Sequence, residues 1–219
     1  MADLTLYYHP FASYCWKVLI ALYESGADFS PREIDLGAQP DRAALETVWP
    51  MRKFPVLVDA TRGVTLPESS VIIEYLDRYY PSDFKAIPQD DDTMIEVRLM
   101  DRLFDGFIMT PMQTVVASHI RQTGRDLPGE ADARAALATA YDVIDARLAG
   151  RDWAAGDNFT LADCAAFPSL HYADRIAAFR ETHPTLAAYM ARLEARPSVR
   201  RVLDGAAPYA HFFPVPPAG

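Results

Sequence analysis

Lys53-Phe54-Pro55-Val56-Leu57-Val58-Asp59-Ala60-Thr61-Arg62-Gly63-Val64-Thr65-Leu66-Pro67-Glu68-Ser69-Ser70 is the stretch on which the fold turns. Residues 56–59 are a buried strand entered through a proline, and a strand tolerates proline at its first position or on an edge. Thr61-Arg62-Gly63 is a turn, and Val64-Thr65-Leu66 pairs back as a hairpin. A helix then opens at Glu68-Ser69-Ser70 and runs to about residue 79, with Ile72, Ile73, Tyr75 and Leu76 inward and Pro81 as its stop. A cis bond before Pro55 would leave the N–H and C=O of Phe54 free of the sheet, ready for the backbone of an extended peptide. On this motif alone a plain strand-entry proline is the simpler reading. At residues 66–70 a strand gives way to a helix N-terminus, where backbone N–H groups, the helix dipole and the Ser69 hydroxyl suit a carboxylate. Glu68 accepts and can receive an ammonium group. Together they fit an α-amino-acid head group. An N-cap with a favourable first-turn acid explains the same residues about equally well.

Working outward, residues 4–8 form a short strand and residues 14–25 a helix with Val18, Leu19, Ala21 and Leu22 on one face, stopped by Gly26. Residues 29–36 hold a second strand, and residues 43–48 a helical turn ended by Pro50. The order is β-α-β-α-β-β-α. Beyond it, residues 82–92 carry Pro88 and a run of Asp and read as a linker. Strand signals then vanish, and helical periodicity fills 94–121, 131–148, 161–179 and 186–195, before a Pro-rich, aromatic tail over 209–219. The expected organisation is a mixed domain over 1–82, a linker over 83–92 and an all-helical domain over 93–219.

Half of the 219 residues are hydrophobic and 23% are charged, which excludes disorder as the main state. Lys and Arg number 21 against 30 Asp and Glu, a net charge of −9 that argues against nucleic acid and anionic membrane as partners. Cys15 and Cys164 are far apart and belong to no CxxC pair, so neither a zinc site nor a disulfide scaffold is expected, and a reducing cytoplasm is the natural setting. Residues 1–5 have no signal-peptide pattern, and no apolar run approaches the length of a membrane span.

His9-Pro10-Phe11-Ala12-Ser13-Tyr14-Cys15-Trp16-Lys17-Val18 carries a strand into a helix N-terminus rich in hydroxyl and thiol groups, where an anion such as a thiolate is stabilised. Taken with Lys53-Phe54-Pro55-Val56-Leu57, Glu68-Ser69-Ser70-Val71-Ile72-Ile73-Glu74-Tyr75-Leu76 and Phe159-Thr160-Leu161-Ala162-Asp163, in that order and at those spacings, the chain resembles the cytosolic glutathione S-transferase superfamily over nearly its whole length. The resemblance implies a thioredoxin-like N-terminal domain followed by an all-helical C-terminal domain. It also implies glutathione as co-substrate, no metal, a homodimer, and a pocket between the domains for a small hydrophobic electrophile. Under it, Glu68 and Ser69 hold the γ-glutamyl group, Phe54 pairs through its backbone with the cysteinyl moiety beside cis-Pro55, and Lys53 lies near the glycyl carboxylate. Asp101 is the candidate that reaches the glutathione amine of a second subunit.

The residue that activates the thiol is the departure from the pattern. A free thiol has a pKa of roughly 8.5, and each unit of lowering needs about 1.4 kcal/mol of preferential stabilisation. In serine-type members the hydroxyl falls where this chain has Ala12. Ser13, one residue later, ranks first as substitute, Tyr8 at the strand end second and Cys15 third; backbone N–H groups of Ser13 or Tyr14 are the remaining source. Each has a structural alternative: Ser13 as an N-cap, Tyr8 as a packed aromatic, and Cys15 as a small buried hydrophobe, the favoured reading for Cys15.

In the second half, Thr160-Leu161-Ala162-Asp163 is a capping box with Phe159 as its staple, a folding device. Arg98, Asp101, Arg102 and Asp105 pair at helical spacing and read as a solvated face. Phe107, Met109, Met112, Tyr209, Phe212 and Phe213 are candidates for an apolar pocket. The leading function is glutathione transfer to an electrophile. The alternatives are isomerisation, dehalogenation or disulfide reduction on the same scaffold, or glutathione binding without turnover. Ser13-Tyr14-Cys15-Trp16 loosely resembles the isomerase-like branch but lacks its full serine-rich motif, and Ala12 is what favours a binding protein.

Overall fold

Leu4 and Leu6 alternate along β1 (Leu4–Tyr8) and are fully buried beneath α1 (Ser13–Ser25), the arrangement that a period of two imposes on a half-covered strand. The computed structural model describes residues 3–216. After α1, which ends at Gly26 in the left-handed region (φ 68°), come β2 (Ser30–Glu33), α2 (Gln39–Val48), β3 (Val56–Asp59), β4 (Val64–Pro67) and α3 (Ser69–Tyr79). The sheet order is β2-β1-β3-β4, with β2 parallel to β1 and the other pairings antiparallel. α1 and α3 cover one face with Trp16, Ile20, Ile72, Ile73 and Leu76. On the other face Ile34, Leu45 and Val56 pack with Tyr7, Trp49 and Phe54. This is the thioredoxin-like half that the resemblance implied.

The rest is helical: α4 (Asp91–Leu103), a π-helical segment (Phe104–Met109), α5 (Thr110–Ile120), α6 (Leu127–Leu148), α7 (Leu161–Asp174), α8 (Pro184–Glu194), α9 (Pro197–Ala206) and a 3-10 turn (Ala207–Phe212). None of the described helices is long and apolar enough to cross a membrane. α7 is buried along almost its whole length, and its Phe167 stacks on Trp16 of α1 at 5.8 Å between ring centroids, so one core runs through both halves. At the N-terminus of α7 the Asp163 carboxylate, fully buried, accepts from the N–H (2.8 Å) and hydroxyl (3.1 Å) of Thr160, the N–H of Ala154 (2.9 Å) and the Tyr189 hydroxyl (2.7 Å).

Several expectations differ in detail. The helix expected over 161–179 ends at Asp174, and the helical turn expected over 43–48 is the second half of α2. The periodic run over 94–121 is not one helix. It widens to π geometry over Phe104–Met109, where the Thr110 hydroxyl donates to the Asp105 carbonyl at 3.0 Å. The sequence reading also passed over α9, whose Pro197 start and buried Val199, Val202 and Ala206 keep helical spacing; Arg200, Arg201 and Asp204 dilute the apolar signal. Residues 217–219 of the expected tail lie outside the described residues.

Candidate active site

The register of the sheet sets the site. Val56 pairs with Tyr7 on one side and with Pro67 on the other. The next residue along each strand is Tyr8, Pro55 and Glu68, so the first-turn loop, the proline and the start of α3 meet at one sheet end. The Phe54–Pro55 peptide is cis. Glu68, at the N-cap of α3, has φ 70°, an unusual backbone for a residue with a side chain. Ser69 is buried and Glu68 exposed.

A cleft of about 470 Å³ opens beside this junction. One wall is the start of α1, from Phe11 through Tyr14. The floor is Arg52, Lys53 and Phe54. The far wall is apolar, with Met112 and Val116 from α5, Tyr172 from α7, and Phe212 and Phe213 from the tail. The loop before α1 is fastened from both halves of the molecule. The Trp16 indole N–H donates to the Pro10 carbonyl (2.6 Å), and the Tyr172 hydroxyl donates to the Phe11 carbonyl (2.8 Å). Within the loop, the Phe11 N–H donates to His9 Nδ1 (3.1 Å).

Ala12 caps α1 without a side-chain bond. The Ser13 hydroxyl and the N–H groups of Ser13 and Tyr14 have no acceptor among the described residues, and both residues line the cleft. These are helix N-terminal donors at the positive end of the dipole. The other two candidates for activation lie elsewhere. Tyr8 turns its ring into a separate cavity on the α1 face of the sheet, and burial together with Glu33 pushes its phenol up to about 12. Cys15 is fully buried, and burial pushes its thiol up to about 12 against a weaker opposing bond at His9; it packs as a small hydrophobe. Tyr14, which the sequence reading used only for its backbone, also lines the cleft. Burial, then the charge of Asp105, with Glu68 and Asp101 adding to it and Arg102 opposing, pushes its phenol up to about 12, so it stays a donor.

Lys53 and Arg52 are exposed cations on the cleft floor, Arg52 at φ 53°. Arg52 carried no sequence signal beyond its charge. Glu68 and Ser69 adjoin the cleft through the strand register and are not part of its lining.

Asp101 is in neither place. It is 2% exposed, with Oδ1 2.5 Å from Lys17 Nζ and Oδ2 accepting from the Ser70 hydroxyl (2.9 Å). Lys17, fully buried, also donates to Asp105 Oδ2 (2.8 Å) and to Ser70 Oγ (2.8 Å). The expected solvated face of α4 is thus split. Asp101 and Asp105 turn inward to Lys17, while Arg98 reaches Glu74 of α3 at 2.8 Å on the outside. Burial raises the Asp105 carboxyl above its ordinary range against the pull of Lys17. Of the apolar candidates, Met112, Phe212 and Phe213 line the cleft; Met109 is core, Phe107 is exposed, and the Tyr209 hydroxyl donates to Glu33 at 2.5 Å.

The arrangement can hold an anion at the start of α1, a carboxylate on the floor and an apolar group against the far wall. Comparison with known proteins identifies the family. The family profile described as glutathione S-transferase, N-terminal domain, matches residues 6–84, and the one described as glutathione S-transferase, C-terminal domain, matches residues 107–197. The chain is 34% identical to the glutathione S-transferase-like protein LUC7 of a Fusarium species over 57% of either chain. It is 30% identical to the maleylacetoacetate isomerase of Rattus norvegicus over 82% of either chain. Among solved structures it superposes on a glutathione S-transferase of Methylobacillus flagellatus with glutathione bound, at a TM-score of 0.83 and 26% identity, covering 91% of this chain and 98% of that one. On its fold, its ordered motifs and these matches, the chain belongs to the glutathione S-transferase family.

Proposed function

We propose that the protein binds glutathione and conjugates or otherwise transfers it, through its sulfur, to a small hydrophobic electrophile. The observation that carries this reading is the set of unpaired donors at the start of α1, facing a cleft with a cationic floor and an apolar far wall. In this reading Glu68 and Ser69 hold the γ-glutamyl group, and the Phe54 backbone beside Pro55 aligns the cysteinyl residue. Lys53 with Arg52 receives the glycyl carboxylate, as charge-assisted bonds favour. The thiol then lies over the N-terminus of α1. One hydroxyl donor from Ser13 and the helix dipole together supply stabilisation of the order of 1–2 kcal/mol, enough to lower a thiol by about one unit. The thiolate forms the new C–S bond, the leaving group departs with its electron pair, and the thiol proton passes to solvent. The glutathione bound to the Methylobacillus protein supports the choice of co-substrate.

Glutathione-dependent isomerisation is the second reading, supported by the rat relative. Disulfide reduction through Cys15 has no support in a thiol that burial raises. Val71 of α3 with Ile95 and Leu99 of α4, all large apolar side chains 42–62% exposed, give the expected homodimer a surface. The cytoplasm remains the expected compartment.

The test is an ultraviolet difference spectrum of glutathione with the purified protein, titrated with pH. Thiolate absorbance is expected at least one unit below the pH at which free glutathione ionises, and Ser13→Ala is expected to move it back by about half a unit or more, the worth of one hydrogen bond. Binding without a thiolate overturns transfer in favour of a non-catalytic binding protein, and no binding overturns both. Turnover of a maleyl substrate without conjugation of an aryl halide selects isomerisation.

A further inference from the structure

His9 does not line the cleft, but four of the residues it touches do: Phe11, Ala12, Phe54 and Phe212. Its backbone carbonyl accepts from the Ala12 N–H at 3.0 Å, and its ring Nδ1 accepts from the Phe11 N–H at 3.1 Å, so one residue closes the turn twice. The ring stacks on Phe54, the residue before cis-Pro55, with 6.2 Å between centroids and 20° between planes. The tail meets the same ring through Tyr209, edge-on at 5.0 Å, and through Phe212 at 6.2 Å.

A ring that only filled space between Phe54 and the tail could as well be phenylalanine. Phenylalanine, however, cannot accept the Phe11 N–H. Acceptance by Nδ1 requires a neutral imidazole with its hydrogen on Nε2. Burial favours that form, lowering the ring from its ordinary 6.5 against the opposite pull of Glu33 and Asp35. Those two carboxylates face it from β2 and the residues after it. From α1 comes the buried, neutral Cys15 thiol, bonded to the His9 backbone. The segment before β3 brings the ring of Phe54. The tail brings the ring of Phe212 and the phenol of Tyr209, kept neutral by its bond to Glu33. The other ties on the turn, from Trp16 to the Pro10 carbonyl and from Tyr172 to the Phe11 carbonyl, hold carbonyls and leave the Phe11 N–H to His9.

We infer that His9 is a positioning residue for thiol activation: by accepting the Phe11 N–H it fixes the turn that presents the free donors of Ser13 and Tyr14 to the cleft. The lowered thiol rests on the transfer reading above; the fixed turn does not depend on it. A protonated His9 turns an N–H toward the Phe11 N–H, so the bond is lost and the turn is released.

The test compares His9→Phe, which keeps a ring against Phe54 and Phe212 but cannot accept, with His9→Asn, whose Oδ1 accepts in place of Nδ1. In the glutathione-free protein the Phe11 amide hydrogen is expected to exchange about tenfold faster in His9→Phe and within about threefold of native in His9→Asn. With glutathione bound, the thiol midpoint read in the ultraviolet is expected to rise by about half a unit in His9→Phe and to stay within about 0.2 unit of native in His9→Asn. Glutathione affinity is expected to stay within about twofold of native in both. A ring that serves only as packing gives the reverse pattern, a native-like His9→Phe and an impaired His9→Asn, and that result overturns the proposal. So does a His9→Phe midpoint equal to the native one. The native protein supplies a check that needs no variant to fold: its Phe11 amide resonance is expected to titrate together with the His9 ring, below pH 6.5. A Phe11 amide indifferent to that ring overturns the proposal. A native protein that binds glutathione without a thiolate overturns the transfer reading instead, and the exchange and resonance results then decide whether His9 fixes the turn.

Discussion

Asp163 and the pair Asp101–Asp105 are all carboxylates removed from water, and they differ in what answers their charge. Asp163 is met by neutral donors only: two backbone N–H groups and two hydroxyls, all within the helical half. Asp101 and Asp105 are both met by a fully buried ammonium, Lys17, with Ser70 shared between Lys17 and Asp101 and with Arg102 reaching Asp105 from outside at 3.4 Å. The first cluster locks a local box at the start of one helix. The second ties α1 and α3 to α4 and the π-helical segment, joining residues 53 and 88 positions apart. Neutral donors make a rigid local device, whereas a charged centre with two opposite charges makes a long-range tie that is costly to leave half-made.

That contrast can be broken. Lys17→Met leaves Asp101 buried without a cation and Asp105 with Arg102 alone, and is expected to cost on the order of 4 kcal/mol in urea unfolding. Replacing Asp101 and Asp105 by Leu in the same chain is expected to recover most of the loss, since an apolar trio of similar volume removes the uncompensated charge. A failure to recover would mean that the tie carries more than charge balance. Asp163→Ala leaves its donors without an acceptor and is expected to cost about 3 kcal/mol, read as faster hydrogen exchange at the start of α7. A melt in which Asp163→Ala outweighs Lys17→Met would invert the comparison.

A third carboxylate sharpens it. Arg125 and Ser118 hold Glu130 well below its ordinary value, at about 2 against 4.5, against the opposing effect of burial. Because the folded value is the lower one, Glu130 contributes stability above pH 4.5 that is lost as pH falls toward 2. Asp105 and Asp163, both raised by burial, have the opposite sign. Their favourable contribution is present below the ordinary carboxylate pKa and is lost as pH rises through the raised folded values. Glu130→Gln is therefore expected to lower the melting temperature at pH 7, where the contribution of the carboxylate is fully present, and by less as pH falls below 4.5, so that the fall between pH 5 and pH 3 is flattened. An unchanged slope would remove Glu130 from the account of acid unfolding.

The same contrast explains what was legible. Thr160-Leu161-Ala162-Asp163 could be read because a capping box is a matter of spacing, and the hairpin from Val56 to Pro67 because alternation and turn residues are local. Lys17 could not be read as a core residue, because nothing near it announces two carboxylates that arrive from another helix. Asp101 and Asp105 sit four apart, which fits a solvated face and an inward face equally; only the packing of α4 against α1 decides. At the candidate site Lys53, Phe54 and Pro55 came from motif position and Ser13 as the hydroxyl next to Ala12, and the structure gathers them at one sheet end with Glu68 and Ser69 alongside. Tyr8 did not follow because a residue at a strand end can turn its side chain to either face, and alternation after Leu4 and Leu6 sends it to the α1 side. Tyr14 and Arg52 were missed because their roles depend on which way a helix start and a loop are turned.

The Tyr172 hydroxyl on the Phe11 carbonyl has a further bearing on how such an enzyme can change. The turn that carries the unpaired donors is tethered to the same helix that walls the cleft. A substitution in α7 that reshapes the cleft therefore also moves those donors. Under the proposed function, selectivity and reactivity are then geared together, and a variant adapted to a new electrophile alters both.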